Sequence, residues 1–199
     1  QVQSDELALE SGSALTFKGP GTMYFHQSNS KFIIKPGAHV VLDELTLTRS
    51  GNKPWQGIQV WGNADSSQYC VTEPCPQGKL EIINGGTIEN AEIAVNLWHP
   101  DHWNSMGGIV QATDAVFRNN AKAVHASHYH NYNPYDPGSE VPNLSYFTNC
   151  TFEITDDYPG TTTFYKHVDL ADVWGIDFKG CDFSLDDSVN GVSTWNHGI

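Results

Sequence analysis

Three segments of the chain concentrate aromatic rings and imidazoles, the side chains best suited to holding a sugar ring or a metal ion. These segments, here called the edge loops, are residues 61–78, 98–107 and 127–143. The candidate ligand-binding residues in them are Trp61, Trp98, His99, His102, Trp103, His128, Tyr129, His130 and Tyr132, with Tyr69, Asp101 and Tyr135 beside them. Aromatic faces flanked by hydrogen-bonding groups can hold neutral glycans, so one prediction is a glycan-binding surface.

Two other interpretations of the same residues stay open. The set His99, Asp101, His102, His128 and His130 offers nitrogen and oxygen ligands that suit zinc or another transition metal. Its spacing matches no standard metal-binding motif, so we expect no cofactor, and neither calcium nor a transition metal is supported by a motif. In the third interpretation the rings only pack the loops against each other and against the body of the protein.

The four cysteines form two pairs. Cys70 and Cys75 bracket Val-Thr-Glu-Pro, a short loop that predicts a local disulfide. Cys150 and Cys181 each stand two residues before a phenylalanine, at matching positions of a repeat described below. Matching residues on neighbouring strands lie ~4.8 Å apart, so this pair is either a second disulfide or two buried thiols. Paired cysteines in a chain of low charge indicate an oxidising, extracellular compartment.

The charge balance excludes several classes of partner. The chain has 10 Lys and Arg against 23 Asp and Glu, a net charge of −13, and no basic cluster. Nucleic-acid binding needs Lys and Arg to neutralise phosphates, so we expect no nucleic-acid partner. No apolar run approaches the about 18 residues that a membrane span requires, so we expect no membrane insertion.

A repeated unit must position the edge loops. Residues 79–91, 108–121, 144–154 and 174–185 align with each other, and residues 40–47 precede them. Each has a short β-rich run, a turn and a second run. The turns contain Asn84-Gly85, Asp114, Asn149 or Gly180, residue types that tolerate positive φ. After the turn an apolar residue recurs roughly 30 to 40 residues apart, namely Leu47, Ile88, Phe117, Phe152 and Phe183.

A third strand follows in several units, at residues 56–60, 93–97, 122–126 and 164–168. A unit of three short strands cannot bury its inner face alone, but stacked units can. The sequence therefore predicts an all-β fold, a right-handed single-stranded parallel β-helix (a solenoid) with the long loops on one edge. A β-sandwich or jelly roll would show longer strands and hairpin signals.

The whole chain, residues 1–199, is predicted to form this single domain. Residues 1–38 would form the N-terminal cap and first coil, and residues 39–199 the further coils. The C-terminal end shows no capping segment, and an uncapped solenoid exposes strand edges. We therefore expect either a fragment of a longer protein or end-to-end stacking with another chain.

Four stretches carry a resemblance to a known group. They are Ile34–Ala38, Trp55–Asn63, Gly86–Ala91 and Phe117–Asn120. Over roughly residues 30–185 the chain resembles the pectin-lyase-like β-helix domains of large secreted Bacteroidota proteins. The resemblance implies export to the outside or cell surface, often by type IX secretion with a C-terminal sorting domain. No sorting domain is visible, which favours the fragment interpretation, and the group has no single activity.

Catalytic signals are weak. A calcium-assisted lyase needs acidic ligands and a basic residue, and the polar positions in the repeated strands are Glu81, Gln111, Ser145 and Asp177. Neither arginine of the chain lies among them. The pairs Asp186-Asp187 and His197-Gly198 resemble those of β-helix glycosidases, but the accompanying Asn-Thr-Asp and Arg-x-Lys elements are missing. We expect no catalytic residues.

The leading hypothesis is a secreted or cell-surface β-helix module with a structural, adhesive or glycan-binding role and no catalysis. The first alternative is a carbohydrate-active enzyme, either a polysaccharide lyase or a glycoside hydrolase, with its site beside the edge loops. The second alternative is a self-assembling extracellular filament or surface-layer subunit.

Overall fold

The computed structural model describes residues 5–158 and 163–186, which form short β-strands joined by loops. The strands are β1 (Glu6–Leu9), β2 (Ala14–Phe25), β3 (Lys31–Ile34), β4 (His39–Arg49), β5 (Gly57–Val60), β6 (Lys79–Ile83), β7 (Thr87–Glu89), β8 (Ile93–Asn96), β9 (Ile109–Thr113), β10 (Val116–Arg118), β11 (Lys122–Tyr129), β12 (Tyr132–Asn133), β13 (Asp136–Glu140), β14 (Tyr146–Thr148), β15 (Thr151–Ile154), β16 (Lys166–Val173), β17 (Asp177–Lys179) and β18 (Asp182–Leu185). A single 3₁₀ turn, Trp103–Ser105, is the one helical element of this part of the chain. Among the described residues, no helix is long and apolar enough to span a membrane.

Two parallel sheets contain all the strands except the antiparallel pair β12 and β13. The first sheet has six strands in the order β1-β3-β5-β8-β11-β16. The second has ten strands in the order β17-β14-β9-β6-β4-β7-β10-β15-β18, with β2 beside β4. It folds back through β4, because residues 39–43 pair with β6 and residues 46–47 pair with β7. The prediction of an all-β chain with parallel sheets is confirmed, and the arrangement is compatible with a parallel β-helix.

The apolar residues that recur after each turn lie in one column, as the repeat predicts. Leu47 pairs with Ile88, Ile88 with Phe117, and the two last phenylalanines continue the register. The rings of Phe117 and Phe152 stack at 4.8 Å, and those of Phe152 and Phe183 at 4.7 Å. Four of these five side chains are buried, so the column forms part of the hydrophobic core.

The predicted turn residues adopt the predicted backbone conformation. Positive φ angles occur at Asn84 (54°), Asp114 (54°), Asn149 (53°) and Gly180 (64°). Asn and Asp tolerate this region better than other residues with a side chain, and glycine has no Cβ to clash. The turns are hydrogen-bonded to each other, since the Asp114 N–H donates to the Thr148 carbonyl at 3.0 Å. The chain therefore changes direction at the same level in each repeat.

An ion-pair row crosses the outer side of β7, β10 and β15. Arg118 Nε lies 2.6 Å from Glu153 Oε1, and Arg118 Nη1 lies 3.5 Å from Glu89 Oε2. The three residues are directly paired across the parallel strands. One guanidinium thus separates two carboxylates that occupy matching positions.

The two cysteine pairs differ in state. Cys70 and Cys75 form the predicted disulfide, with their Cα atoms 5.0 Å apart. Cys150 and Cys181 are free thiols. They hold matching positions, because the N–H of the residue after Cys181 donates to the Cys150 carbonyl at 2.9 Å. Of the two predicted states the structure therefore has the pair of reduced thiols, and burial raises the pKa of Cys150 to about 11.

Of the predicted N-terminal cap and first coil, residues 5–38 are described, and they join both sheets through their strands. β1 pairs with β3 in the six-stranded sheet, and β2 pairs with β4 in the ten-stranded sheet. The predictions that concern the C-terminal end fall on Asp187, His197 and Gly198, which lie outside the described residues.

Candidate functional site

The three edge loops are in contact with each other. The Gly62 N–H donates to the Ser105 carbonyl at 2.7 Å, which joins the first loop to the second. The hydroxyl of Ser67 donates to the Tyr132 carbonyl at 2.6 Å, which joins the first loop to the third. Equivalent strand ends of a parallel stack lie side by side, so loops that leave from β5, β8 and β11 meet at one edge.

The buried Gln68 amide fixes the relative positions of all three loops. Its Nε2 donates to the Gly107 carbonyl at 3.2 Å and to Asn143 Oδ1 at 3.1 Å. Its Oε1 accepts the Leu144 N–H at 2.7 Å. Its own backbone N–H donates to Asn131 Oδ1 at 2.9 Å. Buried polar groups that are fully hydrogen-bonded make a structure rigid, so the ligand-binding candidates are carried on a fixed support.

A first ring cluster contains Trp61, His99 and His102. The ring centroids of Trp61 and His99 are 4.2 Å apart, and those of His99 and His102 are 4.4 Å apart. Burial and the neighbouring His102 charge lower the pKa of His99 below its ordinary value. The Trp61 indole N–H donates to Gln59 Oε1 at 3.0 Å. This cluster joins the first and second edge loops.

A second ring cluster contains Trp98, Trp103 and His128. The two indole rings lie 4.9 Å apart, and Trp103 lies 5.8 Å from the His128 ring. Trp103 is 60% exposed. A large apolar ring that is held by neighbouring rings and still open to solvent is a suitable platform for an apolar ligand face.

The tyrosines of the third edge loop have different roles. Tyr129 is 4% exposed, and its hydroxyl donates to the Ser66 carbonyl at 2.7 Å. Its ring therefore packs the loops together, as the third interpretation of the sequence expects. Tyr132 is half-buried, and its hydroxyl donates to the Asp65 carbonyl at 3.0 Å. Tyr135 is 84% exposed.

His130, in the third edge loop, lies between two acidic residues, Glu140 and Asp172. Its Nδ1 lies 2.8 Å from Glu140 Oε1, and its Nε2 lies 3.0 Å from Asp172 Oδ1. His128 Nδ1 contacts the other oxygen of Asp172 at 3.2 Å. A neutral imidazole has only one N–H, so two carboxylate contacts need the protonated ring. These hydrogen bonds, first to Asp172 and then to Glu140, raise the pKa of His130.

The predicted metal ligands are not gathered into one site. Among residues 5–158 and 163–186, one group alone brings three ligand atoms within 4.8 Å of one another, namely Cys70, Glu73 and Cys75. Both thiols of that group are consumed by the disulfide. The imidazoles of the edge loops contact tryptophan rings and carboxylates instead.

A polar row behind the edge loops was not predicted from the sequence. Gln59, Asn96, His125 and Asp169 pair directly across β5, β8, β11 and β16. Gln59 stands two residues before Trp61, and Asn96 stands two residues before Trp98. This repeated polar-x-Trp pattern was the signal in the sequence that could have revealed the row. The His125 ring meets the Trp98 ring edge-on at 6.0 Å, which links this row to the second ring cluster.

A charged cleft of about 460 Å³ lies beside this row. It is lined by Gln56, Glu92, Ile93, Lys122, Tyr165, Lys166 and Asp169. Burial would raise the pKa of Asp169, but its hydrogen bonds with Lys122 and Lys166 lower it. Burial raises the pKa of Glu92 and, together with the Lys122 charge, lowers the pKa of His125.

A second cleft, of about 470 Å³, lies between the disulfide loop and the ten-stranded sheet. Its polar lining includes His39, Tyr69, Gln77, Lys79 and Gln111. The adjacent Glu81 lies 2.5 Å from Lys79 Nζ and 3.1 Å from His39 Nε2. Lys79 and His39 are therefore paired with Glu81, and their side chains are not free to bind a charged ligand in this cleft.

Of the four polar strand positions named from the sequence, Ser145 lies outside the row that contains the other three. Gln111 pairs with Tyr146, which pairs with Asp177, so Tyr146 holds the outer position. Ser145 is buried, and its hydroxyl accepts the Val110 N–H at 3.1 Å. Gln111 and Tyr146 therefore separate the two carboxylates of this row, Glu81 and Asp177, and the acidic row that a calcium-assisted lyase would need is not formed.

No family model, curated protein or solved structure matches the chain. The resemblance to pectin-lyase-like domains stays a prediction, as do the Bacteroidota origin and the export that it implies. The function is therefore inferred from the geometry described above.

Proposed function

We propose that this chain is a right-handed parallel β-helix module, located outside the cell, that binds a neutral glycan on its edge loops. The parallel register of successive repeats supports the β-helix. In such a fold each loop extends from a strand end that is held on both sides by its neighbours. A binding surface on these loops would be rigid before the ligand arrives, which reduces the entropy cost of binding.

The exposed Trp103 ring is the single observation that carries the glycan proposal. It rests on Trp98 and His128 and leaves 60% of its surface to solvent. A sugar ring has one apolar face that can cover an indole, and its hydroxyls need hydrogen-bonding groups around that ring. His102, His128 and the nearby Asp172 supply such groups.

The charge of the chain favours a neutral glycan over an acidic one. A net charge of −13 repels a polyanion at low ionic strength. Near the ring clusters, His130 is already paired with Asp172 and Glu140, so its charge is not available to a uronate carboxylate.

Isothermal titration calorimetry with cellohexaose, xylohexaose, mannohexaose and laminarihexaose tests the proposal. We expect one of these to bind, and polygalacturonate to bind less. Trp103→Ala should weaken that binding at least about tenfold, which corresponds to about 1.4 kcal/mol. Tyr135→Ala, on a more exposed ring of the same loops, is the matched control. Absence of binding to all four, or equal binding by Trp103→Ala, would overturn the proposal.

A carbohydrate-active enzyme is the second candidate, and the charged cleft favours it. Glu92 and Asp169 line that cleft, and their environments shift their pKa values in opposite directions. Such a divergence is expected of a general acid and its partner carboxylate. Release of reducing ends from the same four oligosaccharides, abolished in Glu92→Gln, would support a glycoside hydrolase. No release by the wild-type protein would exclude this activity on these substrates.

A further inference from the structure

Trp61 and Trp98 stand at matching positions just beyond the ends of the neighbouring strands β5 and β8, but their indole nitrogens differ in hydrogen bonding. Each follows an amide residue by two positions, and those amide residues, Gln59 and Asn96, pair directly across β5 and β8. Trp61 donates its N–H to Gln59 Oε1 at 3.0 Å. The Trp98 Nε1 is buried and has no hydrogen-bond partner among the described residues. The Asn96 Oδ1 is likewise buried and without a partner in that part of the chain.

His125 adds a third unpartnered atom at the same place. It pairs directly with Asn96 across β8 and β11, and its ring lies 6.0 Å from that of Trp98. Its Nδ1 is buried and, among the described residues, makes no hydrogen bond. Only five buried side-chain atoms of the described residues share this condition, and three of them belong to these neighbouring residues. A buried polar atom without a partner is costly, so the cluster indicates a group that supplies the missing hydrogen bonds.

The chemistry of the three atoms calls for a group that both donates and accepts hydrogen bonds. Trp98 Nε1 can only donate a hydrogen bond, and Asn96 Oδ1 can only accept one. An uncharged imidazole adds either a donor or an acceptor at Nδ1. A hydroxyl donates once and accepts twice, so it complements a donor and an acceptor together. A carboxylate could not pair with Asn96 Oδ1, and an ammonium group could not pair with the indole N–H.

We propose that Asn96, Trp98 and His125 form a hydroxyl-binding subsite that receives one hydroxyl of a neutral sugar whose ring lies against Trp103. This inference rests on the proposed function and deepens it. The three atoms are shielded from solvent. The shorter side chain of asparagine, compared with glutamine at position 59, keeps the Trp98 N–H available to the ligand.

The hydrogen bond between Trp61 and Gln59 suggests the test, because Asn96→Gln should create the same hydrogen bond at Trp98. The added methylene lets the amide oxygen accept the Trp98 N–H and thus closes the subsite from within. We expect Asn96→Gln to fold, with an unchanged or raised melting temperature, and to bind the best hexaose of the panel at least tenfold more weakly. Asn104→Gln, an exposed asparagine in the same loop, should bind like the wild type.

A second variant and a second ligand series keep the test independent of packing effects. Trp98→Phe removes the N–H and keeps a ring, and it should also lose at least tenfold in affinity. Monodeoxy analogues of the bound sugar should show one hydroxyl whose removal weakens wild-type binding tenfold, with no further loss in Asn96→Gln. Equal binding by wild type and both variants would overturn the subsite and leave the proposed function standing. Failure of the wild type to bind any panel member would overturn both.

Discussion

Phe117 and Phe152 stack face to face, with ring centroids 4.8 Å apart and planes inclined by 5°. The two residues pair directly on neighbouring parallel strands, so a column of matching positions becomes a column of rings. Such contacts contribute about 0.5–1.5 kcal/mol beyond the area that they bury. The core is therefore stabilised along the direction in which the repeats follow one another.

Phe152→Ala should lower the free energy of unfolding by about 3–5 kcal/mol, because the side chain is fully buried between Phe117 and Phe183. Urea denaturation followed by tryptophan fluorescence measures the change. Phe183→Ala is the matched control, since Phe183 is 38% exposed and should cost clearly less. Equal losses in the two variants would contradict a core centred on Phe152.

Gln68→Ala should loosen the edge loops more than the sheets. The substitution leaves the Leu144 N–H and the Gly107 carbonyl without their buried partner, at about 1–3 kcal/mol for each unsatisfied group. Hydrogen exchange should accelerate at the Leu144 amide and stay slow in β6 and β9. Gln56→Ala removes an exposed amide and should leave the exchange pattern unchanged. Uniform acceleration throughout the chain would argue against a local role for Gln68.

The His130 contacts predict a pH dependence with a definite sign. The pKa of His130 is raised, so its contribution to stability is complete below the ordinary histidine pKa of about 6.5 and is lost as pH rises through the raised value. The pKa of Asp172 is lowered, so its contribution is present above about 3.9 and is lost as pH falls through the lowered value.

Comparison of wild type and His130→Asn between pH 3 and 9 measures this effect. The difference in melting temperature should be largest near pH 5 to 6, between the two ordinary pKa values. It should vanish at high pH and be small throughout, because both partners are exposed. An NMR titration of His130 that gave an ordinary or lowered pKa would refute the proposed doubly bonded imidazolium.

Thiol counting checks the two cysteine pairs. In the unfolded, unreduced protein, two thiols per chain should react with Ellman's reagent, namely those of Cys150 and Cys181. After reduction of the disulfide, four thiols per chain should react. In the native state Cys150 should react slowly, because it is buried and its pKa is raised to about 11. If no thiol of the unfolded, unreduced protein reacts, Cys150 and Cys181 form a second disulfide.

Local chemistry made much of the fold predictable. Positive φ at Asn84, Asp114 and Asn149 follows from residue type, since few other side chains tolerate it. The register followed from the apolar residue after each turn. Strand parity could not be predicted, because one residue decides which face a side chain takes, and Tyr146 rather than Ser145 stands in the row with Gln111.

The candidate site was predictable only in part. The sequence located the aromatic and histidine residues, but their exposure depends on how the loops fold over one another. Tyr129 and Tyr135 belong to the same edge loop, yet one is buried and the other is exposed. The row that contains Asn96 and His125 was missed, because polar residues in a strand normally face water and carry no sign of being covered.

The ion pairs of Arg118 with Glu89 and Glu153 affect whether the chain could lose or gain one repeat. Without the segment that contains β10, β7 would lie beside β15 and the column of apolar side chains would still be continuous. Glu89 and Glu153 would then face each other, and like charges at paired positions are destabilising. The alternation of charge thus opposes the gain or loss of one repeat by unequal recombination, although the core alone would accept it.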